Sequence, residues 1–377
     1  MLSASEQLHK LPDHAKAVVR LLRMALNPDA AQLPVLRPDE QFWYNLRRFA
    51  ALQGISALVF YTLRTNGLDG TMPRRLRIKW ALETDNAVAK YNHFASKAPE
   101  FEAFFAPAGL VPVHIKGLGL STLYPRPELR ECGDYDFYLF RKGQPAGSQN
   151  ILANALDGEA MASAAGMEVE PTSPKHGSWN HGRIHVECHR YFVNLHNSTA
   201  SVDVEKCLVP YLQPMESRLP DGSMFHAASP EFSNLFVVHH ALQHSGKGMR
   251  LRHIADLAMV RRAYGGVVPE DSLPVYFRRG MASLNALADL IFGDGGEKGD
   301  LGDDPQLTAR MLHAVLNAQK YERTDIKSEI LHDIPGRMLK FTRRYNLEKR
   351  IFPDMPSFHV HLVKSIYNKC CRMYSRS

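Results

Sequence analysis

Asp134 and Asp136 stand two residues apart in Gly133-Asp134-Tyr135-Asp136, at the start of the extended run Tyr135 to Phe140. Side chains at i and i+2 of a strand share a face, so both carboxylates are expected to point the same way. Two anions held that close repel each other, and the usual compensation is a hard divalent cation, magnesium or manganese. The run "RIHVECH" carries a third acid, Glu187, on one face with His185 and His189. If that strand lies beside the first, Asp134, Asp136 and Glu187 form a metal site suited to phosphoryl transfer. Lys116-Gly117 falls at a strand-to-helix turn, where backbone N–H groups and an ammonium can meet phosphate oxygens. Arg130, four residues before Asp134, is a further phosphate contact, and His189 reads as a group supporting the site from behind.

These residues need elements to hold them. From Glu40 to about Ala106 apolar residues recur at helical spacing, and the pattern changes at Val111, where "VPVHI" is short and β-branched. The aromatic strand "YDFYLF", a helix in "SQNILANALDGEAMASAAG", a short strand "MEVE" and a hairpin turning at Asn180-His181-Gly182 follow. "LQPMESRLPDGSM" reads as a loop, and helical spacing returns with Ser229 as N-cap before Pro230. The expected fold class is α+β. A small mixed-sheet core spans 107–212, preceded by a helical lead-in at 1–106 and followed by helices at 213–335 and a basic helical tail at 336–377.

The segment resembles the uncharacterised nucleotidyltransferase family of the polymerase-β-like superfamily. The resemblance rests on Lys116-Gly117, Tyr124-Pro125, Arg130, Gly133-Asp134-Tyr135-Asp136 and Glu187-Cys188-His189. It extends to "FAALQGISALVFYTL" and "HHALQHSGKGMRLRHIADLAMV", covering about residues 40 to 265. The resemblance implies transfer of an NMP from an NTP to a hydroxyl acceptor, with Asp134, Asp136 and Glu187 on magnesium. It also implies that Arg252 turns toward the nucleotide while Asp256 orients it. The sequence departs from the superfamily in having Lys-Gly where Gly-Ser or Gly-Gly is usual, and glutamate as the third acid.

Two other chemistries fit parts of the pattern. His185, Glu187 and His189 could hold zinc or iron in a hydrolase, with His240 and His244 at i, i+4 on one helix face. The chain could also be an inactive nucleotide-binding scaffold; retention of three acids argues against that. His239, His240 and His244 otherwise read as packing or phosphate-edge groups.

Composition frames these readings. Lys and Arg total 46 against 39 Asp and Glu, a net charge of +7. From 336 onward ten basic residues face two acidic ones, a surplus of eight, so the remainder is nearly neutral. With Phe341, Tyr345, Ile351 and Phe352 interleaved, that tail suits an anionic membrane surface or an acidic partner. No sequence-specific nucleic-acid reader accompanies the charge. Five cysteines without a CxxC pair, no signal-peptide run and no long apolar stretch lead to the expectation of a cytoplasmic, at most membrane-peripheral, protein.

Overall fold

The computed structural model describes residues 2–28, 36, 38–170, 175–192, 199–244, 248–265, 273–293 and 302–317, with single positions at Thr342, Tyr345, Asn346, Glu348, Lys349 and Val360. Apart from those single positions the basic tail lies outside the described residues, as does most of the polar connection at 293–304. The lead-in comprises α1 (Ala4–His9), α2 (Asp13–Leu26), α3 (Glu40–Leu52), α4 (Ser56–Thr65) and α5 (Arg74–Phe105). β1 (Leu110–His114), α6 (Leu118–Ser121), β2 (Tyr135–Arg141), α7 (Ser148–Ala164), β3 (His176–His181) and β4 (Ile184–His189) follow. Next come α8 (Thr199–Leu208), β5 (Pro214–Arg218), β6 (Met224–Ala228), α9 (Pro230–His244), α10 (Leu251–Tyr264), α11 (Val275–Phe292) and α12 (Pro305–Leu316). No described helix is long and apolar enough to cross a membrane.

The six strands form one mixed sheet in the order β3-β4-β2-β1-β6-β5. β1 runs antiparallel to β2, and β4 lies parallel to β2 on its other side. This sheet amid helices bears out the α+β expectation. It also extends past the expected core boundary at 212. The stretch read as a loop is an antiparallel hairpin, β5 and β6, joined through Pro220-Asp221-Gly222. Its strands are short, and β5 has the half-exposed, polar composition of a sheet edge, so the apolar alternation that reveals a strand is missing. Glu170 makes only an isolated bridge to Ser178, so the short strand expected in "MEVE" is not a separate element.

β2 sits near the middle of the sheet and is buried on both faces. Tyr135, Phe137 and Leu139 point to α5 and α7, as expected for the core face; the Phe101 ring stacks on Tyr135 at 4.7 Å and Phe105 meets Phe137 edge-on at 5.5 Å. The opposite face was expected to be the chemical edge, yet it too is core once past Asp136. Tyr138 packs on Phe192 at 4.5 Å beneath Phe232 of α9. A strand covered on both sides reads as a nearly continuous apolar run, and only its first turn can carry charge to the rim. Gln53, almost fully buried, joins the layers: its side chain donates to the Val315 carbonyl and accepts the Leu251 N–H, fixing the start of α10.

Candidate functional site

The register of the two parallel strands decides the site, since Asp136 of β2 pairs directly with Glu187 of β4. Neighbouring strands lie about 4.8 Å apart and paired residues share a face, so the two carboxyl groups stand side by side. His189 is two residues further along the same face of β4. Its Nε2 is 2.9 Å from Asp136 Oδ1 and 3.5 Å from Glu187 Oε2. The ligating atoms of Asp136, Glu187 and His189 all lie within 4.8 Å of one another. His176, opposite His189 in the β3–β4 ladder, approaches Glu187 Oε1 at 3.7 Å.

Asp134 lies one residue before β2 and is exposed, at the mouth of this group and outside the cluster of ligating atoms. Partial desolvation of its carboxyl, reinforced by the charges of Asp136 and Glu187, raises its pKa above the usual aspartate value. Asp136 goes the other way. Burial opposes its ionisation, but the Lys116 ammonium and His189 outweigh it and hold the carboxyl far below the usual range. Lys116 Nζ sits 2.6 Å from Asp136 Oδ1. The lysine expected on phosphate thus neutralises the aspartate it would otherwise share with a cation.

The turn that presents Lys116 depends on glycine. Gly117 has φ +46°, a conformation L side chains rarely adopt, and a Cβ there would stand 3.4 Å from the Asp134 carbonyl oxygen. Gly119 packs so tightly on β1 that a Cβ would lie 2.5 Å from the His114 carbonyl oxygen. α6 is a single turn, so its dipole adds little and the cationic character of the turn rests on Lys116.

The expected nucleotide ligands Arg130 and Arg252 face elsewhere. Arg130 is buried and forms a bidentate pair with Asp256 of α10, Nε to Oδ1 at 2.7 Å and Nη2 to Oδ2 at 2.8 Å, while Nη1 donates to the Gly117 carbonyl at 3.2 Å. Tyr124 adds its hydroxyl to Asp256 at 2.7 Å. Asp256 therefore orients Arg130, and Arg130 braces the Lys116-Gly117 turn. Arg252 donates to the Glu131 carbonyl at 3.4 Å and packs beside Gly54. His244 stands in a ring cluster with His240 and His253, at centroid distances of 4.9 and 4.6 Å. His185 is exposed and bonds to Asn180, outside both histidine-containing groups.

Lys175 was not singled out by spacing. It immediately precedes β3, and its carbonyl accepts the N–H groups of Arg190 and Tyr191 at the end of β4, which brings its ammonium under the influence of Lys116, Asp136 and Glu187. Burial, reinforced by Lys116, pushes it down to about 8. The signal that finds it is the β3–β4 register, through the pairing of His176 with His189.

The donor set fits a divalent cation: two carboxylates and an imidazole converge at a sheet rim, beside a lysine-glycine turn. Residues 39–272 match the family described as uncharacterised nucleotidyltransferase, from α3 through α10, and the chain belongs to that family. Membership makes the chain a transferase as a class. No curated protein and no solved structure matches the chain.

Proposed function

We propose that the protein moves an NMP from an NTP to a hydroxyl acceptor, with the acids at the rim of β2 and β4 holding magnesium or manganese. The observation that carries this reading is the direct pairing of Asp136 with Glu187 across two parallel strands, beside Lys116. When bound, the cation supplies positive charge to the triphosphate and acidifies the acceptor hydroxyl. Asp136 and Glu187 would hold it, with Asp134 at the mouth of the group. Lys116 and Lys175 would supply ammonium charge to phosphate oxygens beside these acids. Glu187 completes the site and helps take up the proton of the acceptor hydroxyl. Arg130 acts by fixing the turn that carries Lys116.

The test is to incubate the protein with each α-labelled NTP, magnesium or manganese, and fractionated cell extract, and to follow label into a new product. Asp134→Asn with Asp136→Asn abolishes transfer while near-UV circular dichroism stays native. Transfer at the wild-type rate by that variant would remove the site assignment.

A further inference from the structure

One imidazole nitrogen lies within 3.5 Å of both paired acids. His189 has about 1% of its side chain exposed, between Tyr138 at 5.3 Å and His176 at 5.4 Å, so its ring has little freedom to turn away. Its Nε2 faces both Asp136 and Glu187, and its Nδ1 has no hydrogen-bond partner among the described residues, so the carboxylate pair is the ring's polar anchor. Asp134, the acid expected beside Asp136, lies outside the group of converging ligating atoms.

We infer that His189 is a direct ligand, and that the cation held with Asp136 and Glu187 is a nitrogen-accepting divalent ion of the manganese-to-zinc series in preference to magnesium. This rests on the proposed cation-dependent transfer and names the ion's class. Magnesium favours all-oxygen surroundings and keeps its waters, whereas affinity for imidazole rises along the first-row metals from manganese.

The experiment loads the full-length protein with manganese and records electron spin-echo modulation from directly bound nitrogen, then titrates magnesium against the bound manganese. The expected result is nitrogen modulation in the wild type and at least about tenfold tighter binding of manganese than magnesium. Asp136→Asn, checked for native circular dichroism, removes the modulation; its persistence would place the ion on the His240, His244 and His253 cluster and overturn the inference. His189→Gln brings the manganese-to-magnesium ratio close to one, and should that variant not fold, the loss of wild-type modulation in Asp136→Asn decides. Manganese bound without nitrogen modulation, with NTP binding still cation-dependent, overturns the role of His189 and leaves the transfer reading standing. No cation binding at all removes both.

Discussion

Replacing Arg130 with methionine separates a bracing residue from one that grips phosphate. Arg130 and Asp256 are 5% and 3% exposed, and their two charge-assisted bonds are short and parallel. Methionine fills much of the arginine's volume but leaves the Asp256 carboxylate buried, with the Tyr124 hydroxyl still donating to it. Removing one partner from a buried ion pair costs about 3–5 kcal/mol. In a chain of this size that is a fall in melting temperature on the order of 10 °C. Asp256→Leu in the same molecule removes the stranded charge as well, and the double variant recovers most of the loss because an apolar pair of similar volume carries no desolvation penalty. Thermal unfolding by circular dichroism, with NTP affinity measured in parallel, reads both effects. An Arg130→Met protein that melts within about 1 °C of wild type yet no longer binds NTP would refute the bracing role and return Arg130 to the phosphate.

Other perturbations follow from the same geometry. Lys175 is cationic below about pH 8 and neutral above it in the folded protein, so NTP affinity should decline as pH rises through 8; Lys175→Met should flatten that decline in a titration series, and an unchanged slope would exclude the lysine. Gly117→Ala forces a side chain into φ +46° and costs about 1–2 kcal/mol, which denaturant unfolding measures, with cation-dependent NTP binding weakened because Lys116 shifts. Asp136 ionises more readily folded than unfolded, so its stabilising contribution is present above about pH 4 and is lost as pH falls further. Wild type minus Asp136→Asn stability, measured from pH 6 to pH 2, should shrink toward acid, and a constant difference contradicts the Lys116 and His189 pairing.

The acids were readable because their chemistry is local. Asp134 and Asp136 share a short stretch, and Tyr135, Phe137 and Leu139 announce the buried face between them. Ser229 before Pro230 marked the start of α9, and its hydroxyl accepts the Phe232 N–H as a cap should. Features that depend on distant partners were not readable. Asp256 lies four residues from Arg252, which suggests a helical pair, but its guanidinium partner is Arg130, 126 positions away. Lys175 and His176 become site residues only through the β3–β4 ladder, and β5 hid because an edge strand needs no apolar alternation. The place of Glu187 depended on which strand neighbours β2, a question of topology that spacing alone leaves open.

The most direct test of the central claim is equilibrium binding of a non-hydrolysable NTP, with and without added magnesium or manganese, to wild type and to the Asp136→Asn, Glu187→Gln variant. The account predicts binding to wild type that requires the cation and is lost in the natively folded variant. Equal binding with and without cation, or undiminished binding by the variant, would contradict it.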